Sequence, residues 1–423
     1  MKKSYLLIAA TALVFAACSN NELINDVNVQ NEAEPQIGFA QKAIDKTTRA
    51  ELNMDWFHEI DNAFGVYGYK NADNIFKNEE VKLTSKTETT SGDVTSIYKW
   101  EHATVRFWDK SAPTAYNFYA YAPFYGTSNS TSGANPTFTY SGNPSGFVFS
   151  GLNVIENITT DNVDKAVATA VEGVGYASNS LDRTHTNSPT VPFTFNHILS
   201  KLSFKIMTSV KPTDYATVAE RVADITVKSI RIDFPSAASV TWTQTTKNNI
   251  AGTTSYTTYA GKDGTYETPV YNTAYENVSA YNTAHSTSIG SDAFSALSYA
   301  EKLKIGGTAV PYGTTSNDAT PIGETFIVTP VGTGATKHEF DVEVIYDIDY
   351  LDGTNETNCI AHGTVGADTP GAQGATNVYA PAQNQYFIAV INIKPTGIEF
   401  CVEGVNGWNP TNGTDLNPVD VIN

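Results

Sequence analysis

Residues Phe340 to Tyr350 read FDVEVIYDIDY, and this stretch indicates the fold class. Alternate positions are apolar, and they are occupied by Phe340, Val342, Val344, Tyr346, Ile348 and Tyr350. The intervening positions include Asp341, Glu343, Asp347 and Asp349. A period of two, with one apolar and one acidic face, is typical of an antiparallel strand with one buried and one solvated face. Asp352-Gly353 follows directly and predicts a hairpin turn.

Further strand patterns lie on both sides of this stretch. Leu202, Phe204 and Ile206 alternate with polar residues, and residues 386–391 (YFIAVI) are apolar in both phases, which predicts burial on both faces. A slip of one residue near Lys228-Ser229 predicts a β-bulge. One segment, Asp292 to Leu303, is expected to form a short helix.

The composition favours the same class. Only 17% of the residues are charged, which argues against long exposed helices, and the 23 Tyr and 20 Phe residues suit half-buried strands. We therefore expect an all-β protein built from antiparallel sandwiches. The length of 423 residues suits two domains, with a boundary placed near Pro235.

The N-terminus is typical of an exported protein. Lys2 and Lys3 precede the apolar run Leu6 to Phe15, which is too short to span a membrane, and small residues lead to Cys18. We interpret residues 1–17 as a signal peptide and Cys18 as an acylated first residue, anchored to outer-membrane lipid. The alternative is an ordinary signal peptide with an incidental cysteine. Residues 18–49 would form a tether followed by a first short strand.

The charge balance excludes some classes of partner. The formal net charge is −18 and the pI is about 4.7, which argues against nucleic acid and against docking on anionic lipid. Cys359 and Cys401 could pair in an oxidising compartment or remain small buried thiols, and the sequence leaves both possibilities open.

No motif for catalysis, a cofactor or a metal is recognisable in the sequence. His197 lies in a predicted strand without neighbouring ligand residues, so a structural histidine is the better interpretation. The acidic run from Asp347 to Asp352 lacks the spacing of a calcium loop and is better explained as a hairpin with a solvated acidic face. We therefore predict a protein that is not an enzyme and that uses no cofactor or metal.

Several short segments, taken in order, resemble the fimbrillin family of Bacteroidales, which are lipoprotein precursors of type V pilus subunits. The segments are Ile37-Gly38-Phe39 with Thr48-Arg49-Ala50 ("TRA" in the family), Phe64 to Tyr69 ("FGVYAY"), Phe118 to Pro123 ("FYAYYP"), Asp161 to Ala170, Phe195 to Leu202 ("F-H-LSKL") and Ile398 to Trp408. The resemblance runs through most of the chain. It implies two tandem transthyretin-like β-sandwich domains, here residues 50–235 and 236–423.

The resemblance also implies a maturation step. A trypsin-like protease would cut between Arg49 and Ala50 and so release the removable strand Ile37, Gly38 and Phe39. A strand from a neighbouring fimbrial subunit, of the same or another kind, would then fill the open groove. The candidate donor strand near the C-terminus contains Val419, Val421 and Ile422, although Pro410 and Pro418 restrict its pairing. The alternative for Arg49 is an ordinary loop arginine.

The leading hypothesis is thus a structural and adhesive subunit of a surface fimbria on the outer membrane, with an unknown surface receptor. One alternative is a glycan-binding surface lipoprotein that does not polymerise, with Trp100, Trp108 or Trp242 as sugar-stacking platforms. A β-sandwich glycoside hydrolase is a third possibility, and it would need two carboxylates in a cleft.

Overall fold

The chain is mostly β-strand in the part that the structure, a computed structural model, describes. The described residues are 36–43, 54–87, 97–108, 115–125, 137–139, 146–152, 155–157, 165–168, 171–174, 190–234, 237–246, 249–259, 264–304, 306–330, 339–366, 381 and 383–406. The strands form four sheets, and the few helices are short. The predicted all-β fold class is confirmed.

The largest sheet has eight strands and curls until its two ends meet. Numbered in chain order, its strands are β1 (Gly38–Ala43), β2 (Ala63–Lys70), β3 (Asp73–Thr87), β4 (Ile97–Glu101), β5 (Ala115–Ala122), β9 (Ala166–Ala168), β10 (Val171–Val174) and β11 (Thr190–His197). Their order is β1-β11-β9-β5-β2-β3-β4, and β10 also pairs with β5. An antiparallel bridge between Gln36 and Phe107 brings the chain before β1 against the chain after β4.

A four-stranded sheet lies beside the curled sheet. Its strands are β6 (Thr137–Thr139), β7 (Gly146–Leu152), β14 (Ala237–Thr246) and β15 (Asn249–Tyr259). Their order is β15-β14-β7-β6. Phe147 and Phe149 of β7 and Trp242 of β14 pack against Tyr119 and Tyr121 of β5, so the curled sheet is covered on that face.

Two further sheets form a second sandwich. The strands are β8 (Ile155–Asn157), β12 (Ser200–Met207), β13 (Ala223–Asp233), β16 (Thr268–Asn272), β17 (Thr308–Ala309), β18 (Thr320–Pro321), β19 (Phe326–Val328), β20 (Phe340–Tyr350), β21 (Asn355–Val365), β22 (Gln385–Lys394) and β23 (Gly397–Asn406). One sheet has the order β23-β22-β12-β19-β8 with β18 beside β12, and the other has the order β16-β13-β20-β21 with β17 beside β13.

The helical content is small. The helices are α1 (Met54–Phe57), α2 (Val278–His285) and α3 (Ser291–Ala296). The helix predicted over Asp292 to Leu303 is thus only partly present, since α3 ends at Ala296 and a separate 3₁₀ turn covers Ala300–Lys302. Among the described residues, no helix is both long and apolar enough to cross a bilayer.

The two largest apolar cores of the described residues lie inside the curled sheet and inside the second sandwich. The curled sheet encloses an aromatic core that includes Phe64, Phe76, Trp108 and Phe118. The second sandwich encloses an aliphatic core, in which Leu202 and Phe204 of β12 face Val342 and Val344 of β20. β20 buries the apolar positions from Phe340 to Ile348 as predicted, but its other face is not fully solvated, because Ile345 is buried and Glu343 is buried in a pair with Arg231. Residues 386–391 are buried along their whole length, as expected.

The local predictions of a bulge and of a hairpin are also confirmed. The pairing of β13 with β20 shifts between Val227 and Ser229, at the predicted bulge. The chain turns between β20 and β21 through Asp352 and Gly353, where Asp352 accepts hydrogen bonds from Thr354. These hydrogen bonds lower the pKa of Asp352.

The strands near residue 235 connect both halves of the molecule. β12 and β13 precede this position but pair with β22 and β20 of the second sandwich. β14 follows the position but pairs with β7 of the four-stranded sheet. A single cut near Pro235 would therefore separate strands that pair with each other, and the division into residues 50–235 and 236–423 stays a prediction.

Candidate functional site

The first strand, β1, occupies the seam of the curled sheet. It runs parallel to β11, with Gly38 opposite Thr190, Phe39 opposite Val191 and Ala40 opposite Pro192. β11 pairs with β9 on its other side only through its last residues, Phe195 to His197. The first half of β11 therefore has β1 as its ladder partner in the described part of the chain.

The side chains of Ile37 and Phe39 fill the aromatic core from this seam. Ile37 is fully buried and Phe39 is 2% exposed. The Phe39 ring lies 4.9 Å from Phe76 and 5.6 Å from Phe118 in edge-on geometry, and 6.0 Å from Phe193 in stacked geometry. Burial of two such side chains stabilises the docked strand by about 1.5–3 kcal/mol each.

The opposite wall of the seam is formed by residues 102–107, directly after β4. The Ile37 amide donates a hydrogen bond of 2.8 Å to the Arg106 carbonyl. The His102 Nε2 lies 3.0 Å from the Ile37 carbonyl oxygen, to which its N–H donates. Each of these bonds ties β1 to a segment outside β11, and together they close the seam at its N-terminal end.

This wall is anchored in turn to β3. The Glu79 carboxylate accepts hydrogen bonds of 2.6 Å from both the backbone amide and the hydroxyl of Thr104. Hydrogen bonds to an ionised carboxylate are stronger than neutral ones. The wall is therefore held by the body of the sheet independently of β1.

The surface around the seam carries two exposed apolar side chains on either side of the exposed Arg106. Val105 and Phe107 are 50% and 51% exposed, which is unusual for large apolar side chains so close together. On β4, the exposed Lys99 pairs with Glu101 and lowers its pKa. The seam thus offers backbone groups and apolar pockets, which are the features that bind an extended strand.

Several predicted site residues lie outside the described residues. They are the lipidation site Cys18, the processing site Arg49 and Ala50, and the candidate donor residues Val419, Val421 and Ile422. The removable strand is described, and it is longer than predicted, because β1 continues from Gly38 to Ala43. The processing site lies in sequence between β1 and α1, so a cut there would leave β1 attached by non-covalent contacts alone.

Two of the three predicted sugar-stacking platforms are wrong. Trp108 and Trp242 are fully buried in apolar cores, so neither ring presents an open face for a sugar. Trp100 is partly buried and packs against Phe57 and Phe64 with centroid distances of 6.2 and 5.0 Å, and its role as a platform stays a prediction.

The remaining candidate groups serve the fold. His197 is fully buried in β11. Cys359 and Cys401 are not joined by a disulfide, and burial raises the pKa of the Cys359 thiol. Among the described residues, no three His, Cys, Asp or Glu side chains come together as a metal site.

The second wall of the seam is the feature that the sequence did not reveal. Residues 98–108 (YKWEHATVRFW) contain the expected strand, but β4 ends at Glu101 and the chain then leaves the ladder. The one indication in the sequence was that the apolar alternation shifts by one residue between Trp100 and Val105. This shift separates two short apolar patterns, but it does not predict that the second pattern lies beside β1.

No family model matches the chain, and no curated protein matches it. Among solved structures, it is similar to a fimbrial protein from Bacteroides vulgatus ATCC 8482, with 15% identity, a TM-score of 0.47 and coverage of 83% of this chain and 94% of that one. A candidate cell adhesion protein from Bacteroides uniformis ATCC 8492 gives 14% identity, a TM-score of 0.42 and coverage of 88% and 98%.

A third structure is the tip fimbrial protein Mfa3 from Porphyromonas gingivalis with C-terminal truncation, at 9% identity, a TM-score of 0.30 and coverage of 84% and 96%. The structural neighbours of the chain are thus fimbrial proteins and candidate cell adhesion proteins of Bacteroidales, the group whose motifs the sequence resembles.

Proposed function

We propose that this chain is a non-enzymatic structural and adhesive subunit of a surface fimbria. It is made as a lipoprotein precursor acylated on Cys18, is cleaved between Arg49 and Ala50, and assembles with other fimbrial subunits by strand exchange. The observation that carries the proposal is the position of β1, which closes the seam of the curled sheet and fills its core with Ile37 and Phe39.

Loss of β1 would leave two kinds of unsatisfied group. The first half of β11 and the Arg106 carbonyl would lose their backbone partners, and the pocket beside Phe76 and Phe118 would lose the Phe39 ring. Exposed strand edges and emptied apolar pockets both favour the addition of a new strand. A strand supplied by the next subunit makes a head-to-tail contact, which propagates as a filament.

The seam also specifies what a replacement strand needs. Ile37 and Phe39 stand two residues apart and both point into the core, so a donor must carry apolar residues at the same spacing. Val419 and Val421 have this spacing. The residue between the two anchors must be small or directed outward, because a methyl group on Gly38 would lie 3.2 Å from the Thr190 hydroxyl.

The test combines proteolysis with an assembly assay on the purified full chain. Limited trypsin digestion should produce a chain that begins at Ala50, and unheated gel electrophoresis should then show a ladder of multimers. Arg49→Ala should eliminate the chain that begins at Ala50, and the double variant Lys46→Ala with Arg49→Ala, which removes both trypsin sites between β1 and α1, should also eliminate the ladder. The matched control, Lys46→Ala, removes a neighbouring trypsin site and should leave cleavage at Arg49 and assembly unchanged.

A second pair of variants tests the donor strand. Val421→Asp should abolish the ladder without affecting cleavage, because a charge cannot enter the apolar pocket, whereas Asp420→Asn should assemble normally. A chain that is cut at Arg49 but retains the β1 fragment and stays monomeric would contradict the strand-exchange mechanism.

A further inference from the structure

A buried lysine, Lys228, lies on the second sandwich, far in sequence from the seam. It is 4% exposed and sits at the bulge of β13, where the pairing with β20 shifts between Val227 and Ser229. Burial of an amine is unfavourable unless it has closely placed polar partners. Its partners are therefore informative about what the residue does.

The closest partner of Lys228 is a side-chain amide. The Lys228 Nζ lies 2.7 Å from the Asn358 Oδ1 and 3.4 Å from the Asp347 Oδ2. The three residues stand on adjacent strands of one sheet, namely β13, β20 and β21. An amine, a carboxamide and a carboxylate are thus brought together across three strands.

A second irregularity, in the pairing of β20 with β21, positions the side-chain amide of Asn358. The pairing of β20 with β21 shifts between Tyr346 and Ile348, and Asn358 has a positive φ of 54°. The Asn358 backbone amide donates to the Asp347 Oδ1 at 2.8 Å, which fixes the asparagine against the carboxylate. The β13 bulge and the β21 irregularity therefore meet at Asp347, and neither is required by a regular sheet.

The distance between the reacting atoms is short. Because a C=O bond is about 1.2 Å long, the Lys228 Nζ lies within about 4 Å of the Asn358 Cγ. Near-attack geometry requires about 3–3.5 Å, which small side-chain rotations would reach. Holding two groups in this way replaces a bimolecular encounter with an intramolecular one, and the gain in effective concentration is very large.

We propose that Lys228 and Asn358 become joined by an isopeptide bond, with Asp347 as the proton carrier. Asp347 takes a proton from Nζ, the Nζ lone pair attacks Cγ, and the Cγ–Nδ2 bond breaks. In total, two protons leave Nζ and both end on the departing nitrogen, which leaves as ammonium. Asp347 begins and ends as a carboxylate, and no oxidant or other reactant is needed.

The bond changes the charge of the cluster. The amide is uncharged, so its formation removes a buried cation, while Asp347 keeps the hydrogen bond from the Asn358 backbone amide. The bond ties β13 to β21 across β20 and so fixes the three strands against lateral separation. This inference is independent of the proposed fimbrial function, since it concerns a covalent link within one chain.

The first measurement is the mass of the full chain and of its fragments. The intact protein should be lighter than its sequence by one ammonia molecule. A digest should contain a branched peptide that joins Lys228 to Asn358, with trypsin unable to cut after Lys228. Peptide mapping also separates this loss from succinimide formation at another asparagine, which removes the same mass but gives only linear peptides.

Variants assign the roles of the three residues. Lys228→Met, Asn358→Ala and Asp347→Asn should each restore the full mass and eliminate the branched peptide. Asn355→Ala, which changes an exposed asparagine on the same strand, should keep both signatures. A wild-type chain of full mass whose digest contains only linear peptides would overturn the proposal, whatever the stability of the variants.

Discussion

Two strands of this molecule occupy similar places but are held very differently. β1 runs parallel to β11, and β22 runs parallel to β12, which follows β11 after only two residues. β22 has a second complete ladder with β23, along its whole length from Gln385 to Lys394. β1 has only the bridge at Gln36 and the hydrogen bonds of Ile37 on its other side, within the described part of the chain.

The difference indicates which strand would be removed at the lower cost in free energy. β22 is fixed by two ladders and by a tight turn into β23 at Gly397, so its loss would expose the centre of the second core. Phe39 of β1 and the preceding Ile37 enter the aromatic core from the edge, while the rest of that core comes from other strands, from α1 and from Trp108. Under the proposed strand exchange, a strand that completes a core from the edge is a better candidate for release than one in the middle of a sheet.

The largest expected effect is therefore in β22. Ile391→Asp places a charge at a fully buried position between Ile206 and Phe400, and we expect a loss of more than about 4 kcal/mol and failure to fold. Soluble yield and circular dichroism provide the measurement. The control is Asn392→Asp, at the next, partly exposed position. A folded Ile391→Asp protein would refute the comparison.

A smaller and local effect is expected in β1. Phe39→Ala should weaken docking of β1 by about 3–5 kcal/mol, because it empties the pocket beside Phe76 and Phe118. Hydrogen exchange should accelerate in β1 and in residues 190–194, while protection of β22 stays unchanged. The control is Lys77→Ala, at an exposed position of β3, which should change the free energy of local opening by less than about 0.5 kcal/mol. Faster exchange throughout β22 would mean that β1 is part of the global core.

The smallest effect concerns the second wall of the seam. His102→Leu removes the hydrogen bond to the Ile37 carbonyl, and we expect a loss of about 1 kcal/mol in β1 docking. Hydrogen exchange of the first-strand amides measures it, with His285→Leu in α2 as the control. No change in β1 exchange would show that the His102 hydrogen bond does not contribute to holding the strand.

The sequence predicted which face of a strand is buried better than it predicted which strands pair with each other. Alternation placed Phe340 and Val342 in a core correctly, because a period of two follows from the pleat of a single strand. The same pattern cannot say that β12 pairs with β22, since the two lie almost two hundred residues apart and their contact depends on the whole chain. For that reason a boundary near Pro235 was attractive in sequence, although neighbouring strands pair across it.

The site was predicted in part for the same reason. The apolar spacing of Ile37 and Phe39 marked a short strand, and its edge position followed from the family resemblance. Two of the tryptophan platforms failed because size and aromaticity do not report exposure, and Trp108 and Trp242 fill cores. The wall at His102 and Arg106 could not be inferred from the sequence. Its hydrogen bonds to Ile37 join two segments that are far apart in the chain, and the apolar pattern of one segment says nothing about the other.

The direct passage from β11 to β12 also has a mechanical consequence. These strands belong to different sheets, yet only Ile198 and Leu199 separate them, and both are buried. A force that pulls along a strand paired with β11 would load all of their shared hydrogen bonds in shear at the same time, rather than break them one after another. The tension would then pass along the covalent backbone into β12 and the second sandwich. The link between the two cores would therefore carry force without relying on a surface contact.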